Sequence, residues 1–176
     1  MLIKRITSDS KEFNNAWKIL SSSIPSGEIR NYAGEKALFK NKAFRLFGAY
    51  LDSKLIGFAA VFVLKEFVFI DDMAILKGYR NKGYGTLLIK DIIINSKSKP
   101  VILETEKPEN KQSKRRIRFY RKNGFYLNNL NYLLPGLRKN NPSVPMILMS
   151  YPKKLKQKEF SRINKIIYQK VYKIKK

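Results

Sequence analysis

The sequence predicts an α+β domain, a mixed and mostly antiparallel sheet of six or seven strands flanked by helices, with a basic helix after it. Three observations carry this reading. The apolar runs Phe44 to Leu51, Leu55 to Leu64 and Phe67 to Leu76 are separated only by Asp52-Ser53-Lys54 and Lys65-Glu66, so they form an antiparallel meander. The next apolar strand, Val101 to Glu106, follows an intervening helix and therefore returns parallel to the third run. Two further extended segments, about Tyr126 to Leu133 and Val144 to Tyr151, complete the sheet.

The elements follow in chain order. Met1 to Thr7 reads as a strand, and Ser8 or Asp9 caps a helix to about Leu20, in which Phe13, Trp17 and Leu20 recur at helical spacing. The serines 21–23 and Pro25-Ser26-Gly27 break that helix, and a second helical segment covers about Glu28 to Lys40. After the meander, a glycine-containing loop opens an apolar helix, Leu87 to Asn95. Pro100 introduces the buried strand, and a polar loop, Lys107 to Ser113, leads to a helix of about Lys114 to Asn123. Gly124 suits its C-cap, with Phe125 folding back. From Lys156 onward Phe160, Ile163, Ile167 and Ile174 fall near one helical face amid Lys and Arg. The expected organisation is one domain over residues 1–155, with a basic amphipathic helix in 156–176 packed on it.

Composition limits the chemistry. With no cysteine there is neither a disulfide nor a thiolate metal site, and with no histidine the commonest base and metal ligand are gone. A general base has to be Asp, Glu or Tyr, or a water that they hold, and no metal is expected. Nowhere do 18 apolar residues run together, and the N-terminus lacks a leader-like apolar stretch, so a cytoplasmic protein without a transmembrane segment is expected. The net charge of +24 is uneven: residues 107–176 carry 20 Lys and Arg against two acids. Such a surface favours anionic partners.

The segment Tyr79-Arg80-Asn81-Lys82-Gly83-Tyr84-Gly85-Thr86 sits between a hydrophobic strand and an apolar helix. An Arg-x-x-Gly-x-Gly loop there presents backbone N–H groups at the positive end of a helix, which suits a pyrophosphate. Its glycines permit φ > 0 and close approach of a ligand, while Arg80 and Lys82 add charge at the rim. A dinucleotide fingerprint needs a third glycine, and a P-loop needs Gly-Lys followed by Ser or Thr; both are missing.

A second signature, Tyr120-Arg121-Lys122-Asn123-Gly124-Phe125, stands in the helix after the buried strand. Together with Arg80-Asn81-Lys82-Gly83-Tyr84-Gly85 and the small apolar Met73-Ala74-Ile75 before it, this order resembles the GNAT acetyltransferase superfamily over essentially the whole chain. The resemblance implies acetyl-CoA as cosubstrate, with its pyrophosphate on the N–H groups of about Asn81 to Thr86. It implies that the pantetheine arm pairs with the backbone of Met73, Ala74 and Ile75, one of whose N–H groups polarises the thioester carbonyl. It also implies a base at Glu104 and, at Tyr120, a phenol that protonates the departing thiolate. Where the family often has an asparagine contacting pantetheine, this chain has Ser113, after a longer loop containing Asn110.

Glu104 and Glu106, two apart in an extended strand, point to one face, and partial desolvation there should raise at least one pKa. Glu106 could instead bind the acceptor's positive charge. Asp71 and Asp72 on the neighbouring strand should point to opposite faces, and Asp72 could line the acceptor site. The expected activity is acetyl transfer from acetyl-CoA to a primary amine by direct attack in a ternary complex. A competing reading is a basic nucleic-acid-binding or non-catalytic protein that keeps the acyl-CoA-binding fold. The identity of the amine is open, and an exposed terminal strand or the tail helix offers a surface for a homodimer.

Overall fold

A computed structural model describes residues 1–174; Lys175 and Lys176 of the expected tail lie outside the described residues. The strands are β1 (Leu2–Ile6), β2 (Phe44–Leu51), β3 (Lys54–Val63), β4 (Val68–Ile75), β5 (Val101–Glu106), β6 (Tyr126–Leu134) and β7 (Val144–Tyr151). They form one seven-stranded sheet in the order β1-β2-β3-β4-β5-β7-β6. Only β4 and β5 run parallel; every other neighbouring pair is antiparallel, as the short connections of the meander require.

The helices are α1 (Lys11–Ser23), α2 (Tyr32–Ala37), α3 (Tyr84–Asn95), α4 (Lys111–Lys122) and α5 (Gln157–Lys170). Helices α1 and α5 supply Phe13, Leu20, Phe160 and Ile167 to a core with Phe58, Phe69 and Ile102 on one sheet face. On the other face Leu88 and Ile89 of α3 and Ile117 of α4 pack against Ile70, Leu103 and Met149. Leu88 and Ile89 are fully buried. At about 1.5–3 kcal/mol for each such side chain, they fix the start of α3 over the sheet.

Several boundaries differ from the sequence expectation, each for a local reason. Ser10, not Ser8 or Asp9, holds the N-cap position of α1; its hydroxyl donates to the Thr7 carbonyl, and Ser8 donates to Asp9. The serine run does not break α1, because the Ser21 and Ser22 hydroxyls donate back to the Lys18 carbonyl inside the helix. The second helical segment is shorter than expected. Ser26–Glu28 forms a separate 3-10 turn, and α2 starts only after Asn31, whose side chain accepts from the Gly34 N–H. Helix α4 starts three residues early, because Asn110 and Ser113 exchange hydrogen bonds in a capping box. Ile174 lies beyond the end of α5 and is exposed, whereas Tyr168 joins Phe160, Ile163 and Ile167 in the core. Gly124 closes α4 with φ of +84°, and the Phe125 N–H donates to the Tyr120 carbonyl, as expected of that glycine.

Two irregularities in the middle of the sheet shape the site. β4 and β5 pair only from Val68 to Ile70 and from Val101 to Leu103, and beyond that they part. Within β4, Ala60 faces Asp72 and Val61 faces Ile70, so Asp71 is an extra residue in a β-bulge.

Candidate active site

The parting of β4 and β5 opens a cleft of about 710 Å³ between the two faces of the sheet. Its β4 wall is an unpaired strand edge. Leu76 N–H donates to Ile56 of β3, so by alternation the backbone groups of Met73 and Ile75 turn away from β3, towards the cleft. Ala74 also lines the cleft, but its backbone faces β3 opposite Phe58. Of the three residues expected to bind through their backbone, Met73 and Ile75 alone aim it at the opening.

At one end of the cleft lies the glycine loop. Asn81 and Gly83 are left-handed, with φ of +64° and +83°, and Gly83 is the N-cap of α3. The first N–H groups of a helix have no acceptor within it, so Tyr84, Gly85 and Thr86 offer theirs to a ligand. Its chain neighbours and the helix's own backbone apart, no atom of the described residues lies within 4 Å of where a Cβ on Gly83 would stand. The loop thus keeps open space beside a run of amide donors, the shape a phosphate fills. A Cβ on Gly85 would meet the Phe119 ring at 3.2 Å, so α3 and α4 approach closely here.

Arg80 does not reach out at the rim as expected. Its Nε donates to the Ile75 carbonyl at 2.7 Å and its Nη2 to Ser23 Oγ at 3.3 Å, which ties the loop to the end of β4 and to α1. The Ile75 carbonyl is thereby occupied, leaving its N–H and both Met73 groups on the cleft. Arg115 of α4 donates to Asn81 Oδ1 at 2.6 Å, and Lys82 lies over the Tyr79 ring. Arg115 thus brings positive charge to this end, and Lys111 and Arg116 also line the cleft. Asn110 and Ser113, where the chain departs from the family's pantetheine-contacting asparagine, satisfy one another as the helix cap.

The other end is acidic. Glu28, Asp71, Asp72, Glu104 and Glu106 line it, five of the 13 acids in a chain of net charge +24. Glu104 accepts hydrogen bonds on both oxygens, from Tyr132 at 2.5 Å and from Tyr172 at 2.7 Å. Burial, then the nearby Asp71 charge, push its pKa up to about 8 despite these two donors. Asp71 accepts from Arg30 at 2.8 Å, and Glu35 lies 3.5 Å from the same guanidinium. Burial opposes the charge of Arg30, but Asp71 and Glu35 outweigh it and hold it protonated. The Tyr172 ring covers this guanidinium at 5.5 Å. Burial, followed by the Asp71 and Glu35 charges, raises Asp72 well above the ordinary carboxylate range.

The two aspartates do not point to opposite faces. Phe69 and Ala74 belong to one core and Ile70 and Met73 to the other, and the bulge between them puts Asp71 and Asp72 on the same side. Glu104 and Glu106 leave β5 on one face as expected, yet they have different partners: Glu106 is bound by Arg116 of α4, Glu104 by tyrosines. Tyr120 is buried on the cleft wall, and its hydroxyl has no hydrogen-bond partner among the described residues. Burial pushes its pKa up to about 12.

Sequence reasoning missed Glu28, Arg30, Glu35, Tyr132 and Tyr172. None lies in a motif; Tyr172 arrives from beyond α5 and Arg30 from the link before α2. The one usable signal was an excess of tyrosine near the end of the chain, at 168 and 172, on a face otherwise read as aliphatic.

Comparison with known proteins gives consistent findings. The pattern of the Acetyltransferase (GNAT) family matches residues 10–125. Two proteins that carry the name "putative acetyltransferase" are similar. YjbC of Bacillus subtilis (strain 168) is 26% identical over 161 residues, covering 90% of this chain and 81% of that protein. The structure of a GNAT-family protein from Bacteroides thetaiotaomicron superposes with a TM-score of 0.90 at 26% identity, covering 99% of this chain and 100% of that one. A GNAT acetyltransferase from Elizabethkingia anophelis, solved with acetyl-CoA bound, shares the fold with a TM-score of 0.61 at 20% identity, over 85% of this chain and 95% of that one. Among the described residues no helix is long and apolar enough to cross a membrane.

Proposed function

Because the chain belongs to the GNAT family of acetyltransferases, we propose that it moves an acetyl group from acetyl-CoA to a primary amine by direct attack within a ternary complex. The observation that carries this reading is the single cleft that holds, at its two ends, a left-handed amide loop and a buried carboxylate. The cleft fits the cosubstrate. The amides of Asn81 to Thr86 and the open space at Gly83 suit its pyrophosphate, with Arg115 beside them, and the free edge of β4 suits its amide-bearing arm. Bound there, acetyl-CoA supplies an acetyl group activated as a thioester.

The remaining steps belong to side chains and amides of the protein. An amine acceptor arrives as an ammonium ion, and Glu104 takes its proton. A carboxylate with a pKa of about 8 is matched to that task near neutral pH. The N–H groups of Met73 and Ile75 face the cleft and stabilise negative charge on the carbonyl oxygen as the amine adds; one such donor is worth about 3 kcal/mol. Tyr120 stays a phenol over the working pH range and offers its proton to the departing sulfur. Since a free thiol has a pKa near ~8.5, complete transfer from Tyr120 runs uphill, so its contribution is smaller than that of Glu104. With no cysteine in the chain, no acyl-enzyme forms through sulfur.

A thiol-release assay with acetyl-CoA over a panel of amines, read beside thermal shift, tests the proposal. Stabilisation by acetyl-CoA and acceptor-dependent release of CoA support it. Salt-sensitive retention on nucleic acid without any binding of acetyl-CoA would replace it with the basic-protein reading.

A further inference from the structure

The acidic end of the cleft holds more carboxyl groups than one acceptor amine can contact. Behind the lining, Arg30 binds Asp71 and lies beside Glu35 through Nη1 and is covered by the Tyr172 ring, while its Nη2 makes no hydrogen bond. Arg116 is committed to Glu106. Three carboxyl groups of the lining are left without an ion pair among the described residues: Glu28, Asp72 and Glu104. Glu104 at least has two tyrosine donors. Asp72 has nothing. It is 9% exposed, lines the cleft, and makes no hydrogen bond or ion pair among the described residues.

A carboxyl group buried to that degree without any partner is costly, whether it stays neutral with unsatisfied oxygens or ionises beside Asp71. The bulge in β4 makes the case sharper, because it turns Asp71 and Asp72 to one side and so concentrates their charge. Arg30 acts on Asp72 only at a distance, without an ion pair or hydrogen bond; a ligand with a positive charge can contact it directly. The ammonium that reacts is taken up by Glu104, so the charge that answers Asp72 has to be a second one on the same molecule.

Resting on the transferase reading above, we infer that the acceptor is a dication or longer polycation, a diamine or polyamine, with one amine at Glu104 for acetylation and a second ammonium held by Asp72. The cationic exterior does not forbid this. At physiological salt, charges are screened beyond about 8 Å, whereas a pair formed inside the cleft is not.

The test compares 1,4-diaminobutane with 1-aminobutane, and spermidine as a longer chain, in the thiol-release assay at equal pH and ionic strength. A charge-assisted contact to Asp72 should favour the diamine in kcat/KM by about 10- to 100-fold. Asp72→Asn, which keeps the shape, should bring the ratio close to one, with a melting curve to confirm that the variant is folded. Equal values for the two amines in the unaltered protein, or a ratio that survives in Asp72→Asn, overturn the inference. A second readout does not need turnover: a bis-quaternary ammonium chain should bind at least about ten times more tightly than tetramethylammonium, and equal binding overturns the inference as well. The transferase reading fails differently, by absence of both acetyl-CoA binding and thiol release with any amine.

Discussion

The two ends of the cleft are built on opposite principles. The end proposed for the cofactor is made of main chain: consecutive amides from Asn81 to Thr86, a left-handed glycine and a free strand edge, with surface cations around them. The end proposed for the acceptor is made of side chains brought from six places in the sequence, mostly buried, mostly acidic, and linked by hydrogen bonds. A main-chain site recognises what every substrate pair of this reaction shares. A side-chain site can be respecified one residue at a time, and here lies the selectivity.

If that division is right, changes at one end should leave the other alone. Glu104→Gln has the largest expected effect, a fall in kcat of about 100- to 10,000-fold near neutral pH. The loss should shrink as pH rises and the amine deprotonates unaided, while CoA affinity by calorimetric titration stays where it was. A matching loss of CoA affinity would mean that the two ends are one unit. Gly83→Val is the converse. A β-branched residue at φ of +83° costs about 1–3 kcal/mol of strain and fills the anion space, so CoA should bind about 10- to 100-fold more weakly. Unaltered CoA affinity would move the pyrophosphate elsewhere.

Tyr172→Phe sharpens the acceptor end alone. The Tyr172 hydroxyl favours the charged form of Glu104, so its loss should raise the pKa of the base. The rising limb of kcat/KM with pH should move upward by about one pH unit. A limb that does not move would reduce Tyr172 to packing over Arg30.

The smallest effect is on stability. The Glu104 carboxyl is raised in the folded protein from an ordinary 4.5 to about 8, so the folded state binds its proton more tightly than the unfolded one does. The stability this confers is complete below pH 4.5 and is lost as pH rises towards 8, and Asp72 acts in the same direction. The melting temperature of the unliganded protein should therefore decline across that window, and less steeply in Glu104→Gln. A slope of the opposite sign would place an ion pair at Glu104.

The same contrast explains what could be read in advance. The meander, the parallel return of β5 and the cradle depend on local patterns such as two-residue connections and Arg80-to-Gly85 spacing, and these are legible along the chain. Glu104 was singled out because the missing histidines leave carboxylates as candidates and the family resemblance implies a base at its position. The rest of the acceptor end was not legible. Arg30 and Tyr172 stand 142 positions apart and meet only because α5 folds back over the sheet. Strand periodicity also failed in β4, since counting by twos assumes that no residue is surplus. Arg80 was misread for a related reason: a motif tells which residue is present, not whether its guanidinium turns outward or back onto a carbonyl.

The surplus residue in β4 has a consequence for how this site can change. Phe69, Asp72 and Ala74 would share one face, and Ile70, Met73 and Ile75 the other, in a perfectly regular strand that simply omitted Asp71. Asp71 is therefore a detachable part, inserted without disturbing what precedes or follows it. Losing that one codon would take from Arg30 one of its two carboxylate partners, leaving Glu35, and remove one acid from the cleft lining. A single in-frame deletion could thus lower the acidity of this end of the cleft, with the rest of the sheet left as it is.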